Sequence, residues 1–249
     1  MLTQKLMRFS VAAVVLVAGS PLFGASYDAL TGYNSSSNLI TNMWQYGTSV
    51  SAGGAFTPFL LNNSSGSPSY NYWSNTGTFA GPTIADNTSG STITIGTAPA
   101  IIWPNTALLI GPGSPGTGTS NFATVRFVAP STGNFNITGF FSDLQQSSVR
   151  LYVEVGGAQD FSNSFAGSSP QQGTIPFSLS GIALTTGETV DFTVDSEGNQ
   201  SDDVVGFDGT IQTAAASSAP EPSAIWLLAL GLLALPVVRR SMRNPHLTH

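Results

Sequence analysis

The chain of 249 residues contains no cysteine, which excludes disulfides, thiolate nucleophiles and cysteine metal sites. Other catalytic residue types are almost as scarce. The single lysine is Lys5, and the only histidines, His246 and His249, stand at the extreme C-terminus. A Ser-His-Asp triad, a Schiff-base lysine and a histidine zinc site therefore have no means of forming in the body of the chain. What survives is a carboxylate pair of the glycosidase type, for which Glu154, Glu188 and Glu197 are the available glutamates. The alternation described below turns Glu154 toward solvent, so no catalytic residue is assigned and the expected function is non-enzymatic.

Charge is scarce too, at 8% of residues. Between residues 26 and 219 only Arg126 and Arg150 are basic, against twelve carboxylates, a formal charge of −10. Such a surface repels phosphates and has no basic stripe, so nucleic acid is excluded as a partner. Cations, neutral polymers and basic surfaces fit better.

What is abundant is Gly, Ser, Thr and Asn, interleaved with apolar residues at a period of two. In "ATVRFVAP" (123–130), Ala123, Val125 and Phe127 share one face and Thr124, Arg126 and Val128 the other. "GNFNITGFF" (133–141) sets Phe135, Ile137 and Phe141 opposite Asn134, Asn136 and Thr138. "SVRLYVEV" (148–155) turns Val149, Leu151, Val153 and Val155 inward, with Arg150, Tyr152 and Glu154 outward. "ETVDFTVD" (188–195) buries Val190, Phe192 and Val194 and exposes Asp191 and Thr193. One apolar face and one wet face is the signature of an antiparallel sheet. "TIPFSLS" and "VVGFDGTI" add two strands, and "FTPFLL", "STITIG" and "TALLIG" are shorter candidates. No amphipathic helix is legible between residues 26 and 215. The fold class predicted is all-β, an antiparallel β-sandwich of jelly-roll type, with long loops over 30–55 and 62–90.

The two ends set the compartment. Lys5 and Arg8 precede the apolar "FSVAAVVLVAG" (9–19), and "SPLFGASYD" follows with a helix breaker and small residues. That order predicts a signal peptide over 1–25, cut near Gly24 or Ala25, the alternative being an uncleaved anchor. At the other end, "SAIWLLALGLLALPVV" (223–238) would make a helix of roughly 24 Å, against a hydrocarbon core of ~30 Å. Arg239, Arg240 and Arg243 follow at once and stay cytoplasmic by the positive-inside rule. The sandwich domain, 26–212, then lies outside the membrane, joined by a linker over 213–219 to the terminal segment 220–249, whose span is 223–238 and whose basic tail is 239–249.

Pro220-Glu221-Pro222, the short apolar stretch and the arginines at 239 and 240 together resemble a PEP-CTERM sorting signal. The resemblance implies recognition by exosortase, a membrane sorting enzyme of Gram-negative bacteria that make exopolysaccharide. It implies an inner-membrane-anchored precursor, cutting near the Pro-Glu-Pro, and a destination at the cell surface or extracellular matrix. A permanent single-span anchor is the alternative. A second resemblance rests on "MWQYGTSVSAGGAFTPFL", "ATVRFVAPSTGNFNITGFFSDLQ", "VRLYVEVGG" and "LTTGETVDFTVDSEGNQSDDVVGFDGTI". These blocks are similar to a common ectodomain type of that family, and to β-sandwich modules of carbohydrate-binding shape. The His-Pro-Gly often found there is Gly111-Pro112-Gly113 in this chain, without the imidazole.

Two groups of residues are candidate sites. Seven of the thirteen acids fall between 188 and 208, and "DSEGNQSDD" reads as a loop between strands. Carboxylate and amide oxygens at that density suit calcium, with Asp195, Glu197, Asn199, Asp202 and Asp203 as ligands. The spacing is not that of an EF-hand, since Gly198 stands fourth after Asp195 inclusive and Gly206 occupies the bidentate position. The alternative is a polar hairpin that keeps the sheet end soluble. The second group is aromatic: Trp44, Trp73 and Trp103, with Tyr46, Tyr70 and Tyr72, would offer flat faces to a sugar if exposed, and core anchors if not. The expected function is thus an exported surface or matrix protein associated with exopolysaccharide. The alternative is a carbohydrate-binding module acting through exposed aromatics, aided by calcium.

Overall fold

The alternating segments pair into antiparallel sheets that face one another across a core of Phe, Val, Leu and Ile. The computed structural model describes residues 24–79, 81–113, 122–167, 171–197 and 203–214. Among them every regular element is a strand, and residues 24–214 form one compact unit. The first half supplies β1 (Ser26–Asp28), β2 (Trp44–Ser49), β3 (Phe56–Pro58), β4 (Leu61–Gly66) and β5 (Ser69–Ser74). It continues with β6 (Thr83–Asp86), β7 (Ile93–Ile95) and β8 (Ile101–Trp103). The second half supplies β9 (Leu108–Gly111), β10 (Phe122–Val128), β11 (Gly133–Asp143) and β12 (Ser148–Val155). It ends with β13 (Ala158–Ala166), β14 (Thr174–Leu184), β15 (Thr189–Asp195) and β16 (Val205–Thr213).

One sheet runs β14-β11-β16-β9-β6-β5-β4, with β1 pairing the far half of β16; the other runs β13-β12-β15-β10-β2-β3. The strands β9 to β16 thus fall into the orders β14-β11-β16-β9 and β13-β12-β15-β10, the jelly-roll arrangement of two Greek keys. On one side β6, β5 and β4 extend the first sheet and β2 and β3 the second, while β7 and β8 pair with each other in a separate two-stranded sheet.

Between the sheets, Phe207 of β16 and Phe192 of β15 meet with ring centroids 4.7 Å apart. Phe141 and Phe177 join them, Phe141 lying 5.4 Å from Phe207 and Phe177 5.7 Å from Phe192. Offset and tilted rings at such spacings combine a large buried area with favourable quadrupole contacts. Val125, Phe127, Val149, Leu151, Val153, Val190 and Val194 fill the same core, as their alternation predicts. A smaller cluster sits on the outer face of the first sheet, where Tyr72, Ala85 and Leu109 are covered by Ile93, Ile101 and Trp103.

The long loops expected over 30–55 and 62–90 are interrupted by strands, β2 in the first and β4, β5 and β6 in the second. β2 is buried along its whole length, and β4, β5 and β6 build the side of the first sheet. A strand buried on both faces loses the period of two, and one made of Ser, Asn and Tyr lacks the apolar alternation that betrays a strand. Loop 29–43 is tied into the opening between the sheets. Asn38 donates to the carbonyls of Tyr46 (2.6 Å) and Phe59 (2.9 Å), and accepts from the Tyr46 N–H (2.8 Å). The Tyr33 ring lies 4.9 Å from that of Tyr46.

Candidate functional site

The sorting residues Pro220, Glu221, Pro222, Arg239 and Arg240, the signal peptide up to residue 23, and the loop residues Asn199 and Asp202 lie outside the described residues. The rest of the acidic loop is in place, and its carboxylates have work within the fold. Glu197 takes a left-handed backbone (φ 44°) and accepts from the Arg150 guanidinium. Asp203 is buried and accepts from the Ser148 N–H at 2.8 Å, tying the start of β12 to the approach of β16. At the end of β15, burial raises the Asp195 pKa, against the backbone N–H groups of Glu197 and Ser196 and the charge of Arg150. Among the described residues, no group of three His, Asp or Glu is placed to hold a metal ion.

The three tryptophans serve the core. Trp103 is fully buried, its indole N–H donating to the Ala107 carbonyl at 2.8 Å. Trp73 is buried and donates to the Asn34 carbonyl at 2.9 Å. Trp44 packs 5.2 Å from Phe127 and 6.2 Å from Phe192. Of the two roles open to these rings, all three take that of core anchor, Trp44 and Trp73 within the sandwich and Trp103 in the outer cluster.

The outward face of the second sheet corrects another expectation. Gln45, Arg126, Asp191 and Glu154 stand in register across β2, β10, β15 and β12. Asp191 and Thr193 were expected to be exposed and Glu154 to be solvated, yet all three are buried. The segment leading into β3 covers them. Its Gly53 N–H donates to Glu154 Oε1 at 3.2 Å, and its Phe56 ring lies 4.2 Å from the Arg126 guanidinium carbon. Arg126 grips Asp191 with two bonds of 2.7 and 2.6 Å. Glu154 Oε2 accepts from the Thr193 hydroxyl at 3.0 Å, and that hydroxyl lies 3.2 Å from Thr124 Oγ1. Burial pushes the Glu154 carboxyl up to about 8, with the Asp191 charge adding to the rise and the Thr193 bond opposing it. At neutral pH Glu154 is therefore mostly a neutral acid. A raised carboxyl beside one paired to an arginine is the electrostatic pattern of an acid and base pair, but Glu154 has no surface open to a substrate. The signal for this row was present in the sequence: Arg126, Asp191 and Glu154 fall on the polar phase of their strands, where pairing would set unlike charges side by side.

Among the described residues, a surface cleft of about 420 Å³ lies beside β1, lined by Tyr27, Asp28, Thr31, Asn34, Asn42 and Trp44 among others. Asp28 Oδ1 accepts from the Thr31 N–H (2.8 Å) and hydroxyl (2.9 Å), which folds the turn forming one wall. Asn34 and Asn42 shape the other wall, Asn34 accepting from the N–H groups of Ser36 and Ser37 and Asn42 donating to the Ser37 carbonyl. At Gly32 a Cβ would come within 2.5 Å of the Trp44 ring, so glycine lets the turn approach the indole. The cleft thus joins an indole edge to amide and hydroxyl groups. Its sequence signal was slight, an Asp28-x-x-Thr31 turn ahead of Trp44.

A model of the PEP-CTERM protein-sorting motif matches residues 218–243. No curated protein matches the chain. Among solved structures, the C-terminal CBM6 of a marine laminarinase from Zobellia galactanivorans is similar over 49% of this chain and 89% of its own (12% identity, TM-score 0.26). CBM35 from Paenibacillus barcinonensis is similar over 77% of this chain and 99% of its own (14% identity, TM-score 0.26). A family 35 carbohydrate-binding module from an environmental isolate is similar over 53% and 98% (18% identity, TM-score 0.25). At such scores these likenesses carry no ligand or activity to this chain.

Proposed function

We propose that this is a non-enzymatic exported protein of the cell surface or extracellular matrix, sorted through its C-terminal segment. The observation that carries the reading is the PEP-CTERM motif over residues 218–243. The N-terminal signal peptide starts export, the apolar stretch 223–238 holds the precursor in the inner membrane, and Arg239 and Arg240 keep its tip cytoplasmic. An exosortase-type enzyme then cuts near Pro220-Glu221-Pro222 and hands the sandwich to the surface or the exopolysaccharide matrix of a Gram-negative cell. A span a little short of the bilayer suits a pause better than a permanent anchor. Replacing residues 220–222 by alanine and fractionating the producing cells tests this. Precursor should accumulate in the inner membrane, and unchanged release of the processed form would count against the proposal.

A second reading is favoured by the cleft at Trp44: recognition of a neutral polysaccharide unit there. An apolar indole edge beside Asn, Thr and Asp groups is the pairing that sugar C–H and O–H groups require, and the volume falls in the range of small-molecule sites. Calcium at Asp195, Glu197, Asn199, Asp202 and Asp203 is a separate, subordinate proposal. It requires Glu197 to exchange Arg150 for the ion. A calcium-induced thermal shift that chelator reverses and Asp202→Asn abolishes supports it, and no shift at millimolar calcium removes it.

A further inference from the structure

We propose that the side of the sandwich bounded by β4 is where a second copy of this chain docks, joining the two domains edge to edge. The inference concerns self-association and does not depend on how the protein is exported or on what fills the cleft at Trp44.

Sheet edges expose unpaired N–H and C=O groups, and soluble proteins blunt them with charge, proline, bulges or short length. Three of the four main edges here are blunted. β3 has three residues and ends in Pro58. β13 carries Asp160. β14 contains Pro176 and a left-handed Gly181, and its pairing with β11 slips register between Phe135 and Ile137. β4 has none of these devices. Its sequence is Leu-Asn-Asn-Ser-Ser-Gly, and it pairs with β5 in unbroken register over all six residues.

The surface beside this edge is apolar. Leu60 is 79% exposed, Ile40 76%, Leu39 63% and Leu61 44%. One anchor brings the two pairs together: Asn38, next to Leu39, bonds the carbonyl of Phe59, next to Leu60. Asn62 also donates to the Ser35 carbonyl. Four large exposed side chains on two segments joined by that bond are the mark of a contact surface rather than of scattered exposure.

Charge narrows the choice of occupant. The exported body carries −10, so two copies repel over most of their surfaces. From residue 29 to residue 85 there is no charged residue at all. The nearest acid in the sheet is Asp86, two strands in from β4, and burial raises its pKa. This is the side on which a second acidic copy can approach without like charges meeting, while a basic partner would find nothing to pair with. Antiparallel contact between two β4 strands would satisfy the main-chain groups and cover the leucines together.

Sedimentation equilibrium on the mature protein recovered from producing cells, over micromolar to near-millimolar concentrations, tests the proposal. The expected result is twice the monomer mass, with tighter association as salt rises, because screening removes the repulsion between acidic bodies. Leu60→Glu and Ile40→Glu alter exposed positions, so the fold should persist while the dissociation constant rises about tenfold or more. Ile102→Glu, exposed on β8, should leave association unchanged. A monomer at every concentration would overturn the proposal, as would a dimer indifferent to both Leu60→Glu and Ile40→Glu. A monomer that instead floats with phosphatidylcholine vesicles would overturn it too, assigning the patch to a lipid surface.

Discussion

Glu154 and Asp191 are register partners across β12 and β15, both buried, and Arg126 pairs with only one of them. Asp191 keeps the guanidinium, while Glu154 has a hydroxyl and a backbone N–H. The cheaper state for Glu154 in that place is the protonated one.

This fixes the sign of the pH dependence. The folded Glu154 titrates at about 8, against an ordinary value of 4.5, so the native state holds a proton that the unfolded chain has released. Its stabilising effect is full below the ordinary value and is lost as pH rises toward 8. Asp208 acts in the same direction, raised to about 6 by burial and by the neighbouring Asp28 charge. The melting temperature should therefore be highest in mild acid and decline through neutrality. Glu154→Gln should flatten the decline above pH 6 and exceed the native protein above pH 8, at about 1.4 kcal/mol for each pH unit of loss removed. Parallel pH curves for the two proteins would mean that Glu154 ionises at its ordinary value inside the fold.

The Arg126–Asp191 pair should be costly to break and inexpensive to replace. Arg126→Met leaves Asp191 buried beside Glu154 and should destabilise by about 3–5 kcal/mol in urea unfolding. The double change Arg126→Met with Asp191→Leu should recover most of that loss, since neither charge is then stranded. A double variant as weak as the single one would show that the pair does more than neutralise itself.

The tryptophans separate core from cleft. Trp73→Ala and Trp103→Ala should each lose about 3–5 kcal/mol, so any glycan binding lost with them follows the unfolded fraction. Trp44→Phe retains a ring against Phe127 but removes the indole edge from the cleft. Pull-down on neutral polysaccharide should fall for Trp44→Phe and hold for Trp73→Phe. Equal behaviour of the two would leave the cleft without a sugar.

The sandwich was legible where strands bury one face and wet the other. Val125, Phe127, Val149, Leu151, Val190 and Phe192 all lie in the core that their alternation implies. The first third was harder to read. β2 is covered on both sides, and β4 and β5 consist mostly of Ser, Asn and Tyr, so neither period nor composition marks them. The buried polar row escaped because alternation tells which side of a strand a residue takes, not whether a later segment folds over that side. Gly53 and Phe56 do so, turning an expected wet face into an interior one. The Trp44 cleft has one local element, the turn held by Asp28 and Thr31, and only the fold sets that turn beside Asn42 and Trp44.

Export and trimming at the C-terminal motif are the core of the proposed function. Intact-mass analysis of the protein taken from the envelope of its own cells addresses both ends at once. The expected mass is that of a chain that starts near Gly24 or Ala25 and stops close to Pro220-Glu221-Pro222, without the apolar stretch and the arginines. A mass that still includes every residue to His249 would contradict it.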